Sequence, residues 1–263
     1  VKQVSFFQID AFTDVPFSGN PAAVCLLEEP REDRWMQEVA REMNLPETAF
    51  LQKEAGGYRL RWFTPATEVD LCGHATLASA HLLWEEKIAK PKEPLLFHTR
   101  SGTLRAEKRD WIELDFPGEP PQETAPPPAL AQALEVSPIY TGKNRMDYLV
   151  EVESEALLRA IRPDFSLLAS LPVRGTIVTA PSEAGLFDFV SRFFAPRCGI
   201  PEDPVTGSAH CCLGPYWGKK LNRTALTARQ LSERGGVVRL RLQGDRVILC
   251  GQAVTILQGE IRR

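Results

Sequence analysis

Glu47, His74 and Asp203 are the side chains whose type and setting suit proton chemistry: Glu47 follows a proline, His74 follows a glycine, and Asp203, after Glu202, precedes a proline. His74 follows Gly73 in Leu71-Cys72-Gly73-His74-Ala75. In the first turn of a helix an imidazole can donate to an anion, while the positive helix end disfavours its protonated form. The plainer reading is a polar core residue bonded to a carbonyl. Glu47 lies between Pro46 and an apolar stretch, where desolvation would raise its pKa and suit it to carrying a proton. A capping or surface role is the alternative. Asp203 opens Asp203-Pro204-Val205-Thr206-Gly207-Ser208-Ala209. Asp-Pro is a common turn opener and Asp a common cap, but this turn leads directly into a second small-residue helix start. The Gly207 amide with the Ser208 hydroxyl, like Gly73 with His74, offers donors for a carboxylate.

Other candidates carry less. Cofactor-free racemases use two thiols on opposite faces of one carbon; here Cys72 is matched in the second half by Thr206, too weak an acid or base to replace a thiol. Cys72 therefore reads as a small buried hydrophobe. His210 reads as structural, and His81 and His98 show no partners in the pattern. The six cysteines lack zinc-type pair spacing, and no Walker loop, Rossmann glycine pattern or His-Glu-x-x-His occurs, so neither a metal nor a nucleotide cofactor is expected.

Two elements must position these groups. From Leu71 to Trp84, and again from Pro204 to Gly218, there is no Asp, Glu, Lys or Arg. A helix uncharged all round is a buried one. The runs predict two buried helices, from about Gly73 to Lys87 and from about Gly207, each beginning at a glycine-containing turn. Each is preceded by a similar strand pattern ending at proline, Arg61-Trp62-Phe63-Thr64-Pro65 and Arg192-Phe193-Phe194-Ala195-Pro196. Strands are expected over 4–11, 22–27, 48–52, 58–64, 95–98, 103–108, 111–115, 139–141, 148–152, 176–180, 187–194, 237–242, 246–250 and 253–261. An amphipathic helix over Glu32–Leu45 has Trp35, Val39 and Met43 four apart with Met36 and Ala40 alongside, and another helix is expected over Ser154–Ile161. The proline-rich stretch around residues 117–128 marks a boundary, giving halves at 1–118 and 119–252, with 253–263 returning to the first.

Bulk composition bounds the rest. A chain of 263 residues, 43% hydrophobic and 25% charged, has ample core for two domains. A net charge of −3 argues against a nucleic-acid surface. No apolar run approaches the roughly 20 residues of a membrane span, and no signal peptide is read at the N-terminus. Reduced thiols in the cytoplasm are expected.

The motifs together resemble the phenazine-biosynthesis isomerase (PhzF-like) family, of the diaminopimelate epimerase-type fold. They are Asp10-Ala11-Phe12-Thr13, Gly19-Asn20-Pro21-Ala22-Ala23-Val24, Asn44-Leu45-Pro46-Glu47-Thr48-Ala49-Phe50, Trp62-Phe63-Thr64-Pro65, Cys72-Gly73-His74-Ala75-Thr76 and Glu202 through His210. The resemblance implies an α+β protein of two pseudo-symmetric domains, each a mostly antiparallel sheet rolled around a central helix, with the active site in the cleft between them. It implies a homodimer and no cofactor. By motif, Glu47 shuttles the proton with His74 and Asp203 as partners, and Gly73, His74, Gly207 and Ser208 cradle a substrate carboxylate. The expected function is a cofactor-free isomerase moving a proton within a small carboxylate. An amino-acid racemase or epimerase, and a non-catalytic carboxylate-binding or interaction module, are the alternatives.

Overall fold

Parallel strand pairs need a crossover, and in this chain helices supply it, twice in each of two units. The computed structural model describes residues 3–183 and 185–262. One unit comprises Val1–Asp115 with Cys250–Arg263, the other Phe116–Leu249.

In the first unit β1 (Val4–Ala11) and β2 (Asn20–Leu27) are antiparallel neighbours. Helix α1 (Asp33–Met43) crosses to β3 (Glu47–Glu54), parallel to β2, and β4 (Gly57–Phe63) returns antiparallel. A two-residue β5 (Glu68–Val69) pairs with the end of β4. Helix α2 (Gly73–Glu85) then crosses to β6 (Leu95–Thr99), parallel to β4. An antiparallel meander through β7 (Gly102–Lys108) and β8 (Ile112–Pro117) follows.

The second unit repeats that order. A short β9 (Gln122–Glu123) and α3 (Pro128–Leu134) precede the antiparallel pair β10 (Tyr140–Lys143) and β11 (Asp147–Glu151). Helices α4 (Glu155–Ala160) and α5 (Phe165–Ser170) cross to β12 (Gly175–Pro181), parallel to β11, and β13 (Phe189–Phe194) is antiparallel to β12. Helix α6 (Gly207–Leu221) crosses to β14 (Ala225–Gln230), parallel to β13, and β15 (Gly236–Gln243) is antiparallel to β14. After β16 (Arg246–Gly251), β17 (Ala253–Ile261) pairs antiparallel with β1, opposite β2. The architecture is α+β, sheet-dominated, and each unit carries one buried helix.

The uncharged runs account for those helices. In α2 every residue from His74 to Trp84 except His81 is buried, and the helix packs on β1, β2, β3 and β17. Its two hydroxyls are satisfied within the helix, Thr76 donating to the Cys72 carbonyl (2.6 Å) and Ser79 to that of Ala75 (2.7 Å). In α6, Trp217 stacks on Phe189 with centroids 5.5 Å apart and donates to the Thr179 hydroxyl at 3.0 Å. Pro215 lies inside α6 and gives no N–H to the Cys211 carbonyl one turn earlier; the Glu119 N–H bonds that oxygen instead, at 2.9 Å. Gly218 allows β15 to approach, since a Cβ there would sit 2.3 Å from Leu242 Cδ1.

Several boundaries and elements differ from the sequence expectation. Helix α2 stops at Glu85, and Lys87 turns left-handed at φ 58°. The proline-rich stretch holds a helix: Pro128 occupies the first turn of α3, where a missing N–H costs nothing. Helix α5 and strand β14 were not expected. The buried stripe of α1 is Met36, Val39 and Ala40, with Trp35 and Met43 at its margins. His81 and His98 do have partners, Glu85 at 3.2 Å and the Thr103 hydroxyl at 3.4 Å.

Candidate active site

In the first unit three elements deliver side chains to one point. The parallel register sets Glu47, the first residue of β3, beside Ala22 of β2, two residues past Asn20. Gly19 precedes it at φ +66°, where a Cβ would lie 2.3 Å from the Ala11 carbonyl oxygen, so the turn into Asn20 requires glycine. Buried Asp10 holds the same turn by accepting from the Phe17 N–H at 2.8 Å. Cys72 is the extended residue before α2, and His74 stands in the first turn.

His74 is 4% exposed, and its two ring nitrogens face different partners. Nε2 lies 3.2 Å from Glu47 Oε2. Nδ1 lies 3.2 Å from the Asn20 amide nitrogen and 3.5 Å from Cys72 Sγ. With Asn20 donating to Nδ1, the ring proton sits on Nε2, facing Glu47; full protonation requires the Asn20 amide to turn its oxygen inward. The Nε2 approach is close but off the angle of a formed hydrogen bond, so a small rotation of either side chain would make that bond.

Burial opposes a charge on His74, but the acidic groups of Cys72 and Glu47 outweigh it and hold the ring well above its ordinary pKa. Burial, reinforced by the Glu47 charge, pushes the Cys72 thiol up, against a smaller pull from His74. The sequence expectation of a neutral ring is not met: the His74 pKa is raised. Cys72 also departs from the sequence reading: it is buried, but it touches the imidazole.

The second unit builds a different network at the matching helix start. Thr206 precedes α6 as Cys72 precedes α2. Its hydroxyl donates to Asp203 Oδ2 in a short contact. Fully buried Gln230, the last residue of β14, accepts from the Thr206 N–H (2.9 Å) and donates to the Asp203 carbonyl (2.7 Å) and the Thr206 hydroxyl (3.3 Å). Gly207 and Ser208 form the first turn, Gly207 buried and Ser208 half-buried. His210 is fully buried with Nδ1 bonded to the Thr206 carbonyl at 2.8 Å, in keeping with its structural reading.

Neither α2 nor α6 begins with a side-chain cap or an acidic first turn. By contrast α4 is capped by Ser154 and α5 by Asp164. An uncapped start of this kind presents its amides to an anion. The structure thus joins Glu47 to His74 and Gly73 in one unit, and Asp203 to Gly207 and Ser208 in the other. The sequence reading missed Asn20 and Gln230 as members of these sites; Asn20 had a signal in Gly19-Asn20-Pro21, whereas Gln230 had none.

Each unit's sheet with its single buried helix is the architecture of epimerase-type folds, and in the first unit Glu47 meets His74 at the start of that helix. The family model for phenazine biosynthesis-like proteins matches residues 9–259. The chain belongs to that family, and it is an isomerase. It is 57% identical over 257 residues to an uncharacterized isomerase of Halalkalibacterium halodurans, covering 97% of each chain. It is similar to the crystal structure of a phenazine biosynthesis protein of the PhzF family from Enterococcus faecalis, with TM-score 0.95, 42% identity and 100% of both chains covered. A probable proline racemase from Agrobacterium radiobacter, solved with bound carbonate, shares the fold alone at TM-score 0.67 and 12% identity, covering 98% of this chain and 93% of that one. Among the described residues, no helix is long and apolar enough to cross a membrane.

Proposed function

We propose that this isomerase moves a proton between two positions of one small carboxylate-bearing molecule, with Glu47 as the carrier and no cofactor. The observation that carries the reading is the 3.2 Å approach of Glu47 to a buried, proton-holding His74 at the uncapped start of α2. His74 keeps the Glu47 charge in place and lends a proton to developing negative charge; Asp203 orients a polar group of the substrate. The amides of Gly73 and Gly207, with Ser208 and His74, hold the carboxylate. The reading requires both helix starts to face the same molecule, in a cleft between halves 1–118 and 119–252, and we propose a homodimer as the working form.

The topological repeat favours a single carrier over two opposed bases. β3 and β12 both follow a crossover and run parallel to the preceding strand; β3 starts at Glu47, β12 at Gly175. The residue before the buried helix is Cys72 in one unit and Thr206 in the other. At those matching positions the second unit carries neither a carboxylate nor a thiol to serve as a mirror-image base.

Solvent deuterium exchange tests the reading. Incubating a panel of small cyclic and acyclic carboxylates in deuterated water, followed by NMR, should show label entering at a carbon other than the one that lost hydrogen. Glu47→Gln should slow that by about 10²–10⁴-fold while carboxylate binding is kept. Label at the α-carbon with inversion would establish epimerisation. Binding with no exchange of any compound would mark a carboxylate-binding module.

A further inference from the structure

Glu47, Cys72 and His74 are the group of described residues able to offer a thiol, an imidazole nitrogen and a carboxylate oxygen within 4.8 Å of one another. We propose that they form a binding site for one soft divalent transition-metal ion of the zinc type, and that its occupancy arrests the enzyme reversibly.

Three observations carry this. The donor set is that of zinc sites with three protein ligands and an open position, whereas magnesium and calcium want oxygen alone. The spacings are already close: with Zn–S about 2.3 Å and Zn–N about 2.0–2.1 Å, a tetrahedral ion spans a sulfur–nitrogen edge of about 3.6 Å and a nitrogen–oxygen edge of about 3.3 Å. Cys72 Sγ to His74 Nδ1 is 3.5 Å, and Glu47 Oε2 to His74 Nε2 is 3.2 Å. Third, Nε2 is buried and makes no aligned hydrogen bond, so the Glu47–His74 approach can open without breaking one.

The two pairs use opposite nitrogens of one ring, so a single ion takes one pair as it stands and draws in the third ligand by a side-chain rotation. Glu47, the group nearest the surface with 13% of its side chain exposed, is the point of entry. On binding, the Cys72 S–H bond breaks, the ligating ring nitrogen of His74 gives up any proton it carries, these protons leave to solvent, and sulfur–metal and nitrogen–metal bonds form; no redox change is involved. The bound ion holds the carboxylate and the imidazole of the proton pathway together. That consequence, unlike binding itself, rests on the reaction proposed above.

Cobalt(II), a spectroscopic stand-in for zinc, tests the site without a substrate. Titrating the purified full chain should give a thiolate-to-cobalt charge-transfer band and intense visible bands of tetrahedral cobalt, saturating at one ion per chain and displaced by zinc but not magnesium. Cys72→Ser should abolish the charge-transfer band. Glu47→Gln, its folding checked by circular dichroism, should weaken binding beyond the roughly 10–100-fold typical of losing an outer-shell partner. Cys198→Ser, which removes the exposed thiol, should change nothing. Absence of the band, its persistence in Cys72→Ser, unaltered affinity in Glu47→Gln, or its loss in Cys198→Ser would each overturn the assignment. Because the readout is optical, its failure leaves the isomerase reading standing, and loss of exchange activity in Glu47→Gln says nothing about the metal.

Discussion

At the scale of single residues, the two buried histidines behave oppositely because of what surrounds them. His74 meets acidic groups and keeps its proton; His210 meets an aromatic face and a carbonyl, and burial lowers its pKa to about 4, against a smaller upward pull from the Thr206 carbonyl. The unfolded chain titrates this ring near 6.5, so between about pH 6.5 and 4 the unfolded state binds the extra proton. Stability is therefore intact above that window and falls as pH drops through it, by about 3 kcal/mol in all at about 1.4 kcal/mol per unit. Urea unfolding of wild type and His210→Gln across pH 4–7 should show a slope shallower by close to one proton in the variant. None of this was legible from His210 itself, which in sequence is one polar residue among small ones. Likewise the Glu47–His74 contact joins residues whose separation in sequence says nothing of a partnership; it depends on the parallel register of β2 and β3 and on how α2 seats against them. What could be read was the setting of each residue separately: a carboxylate at a strand start, an imidazole in a first turn.

At the scale of elements, the uncharged runs were legible because burial of a whole helix leaves no face for charge. Strand β14 was not, since Ala225 to Gln230 mixes exposed Ala225 and Arg229 with buried Leu226, Ala228 and Gln230, and glutamine is not the residue that pattern reading places at a strand's buried end. Yet Gln230 ties β14 to the turn that carries Asp203. Gln230→Leu would leave the Thr206 N–H and the Asp203 carbonyl buried without that partner, at about 1–3 kcal/mol each. The expected outcome is a loss of roughly 2–5 kcal/mol in denaturant unfolding, with Gln230→Glu no milder at neutral pH, because it keeps the acceptor for Thr206 but buries a carboxylate against the Asp203 carbonyl. A loss below 1 kcal/mol in the leucine variant would mean that water takes over both bonds. α3 is the reverse case: its proline at the first turn is a starting signal, obscured by the prolines around it.

At the scale of the whole molecule, the repeat of crossovers, each unit alternating antiparallel and parallel pairs, was visible in sequence only as two similar strand–helix junctions. The first unit takes β1 from one end of the numbering and β17 from the other, with β1 hydrogen-bonded on both sides. A chain ending after Gln252 would bare that side of β1, including the register from Val4↔Ile261 to Ala11↔Ala253. Such a truncation is expected to aggregate, or to lose the first unit's cooperative unfolding in calorimetry while residues 116–249 keep theirs. On the ribosome the same pairing imposes a schedule. Residues 116–249 emerge as one continuous stretch, whereas β1, made before them, has to be kept from wrong partners until residues 253–261 arrive. Slow decoding late in the message, or a bulky fusion behind the last strand, would lengthen that wait, and a cell short of chaperones should feel it first in the yield of this protein.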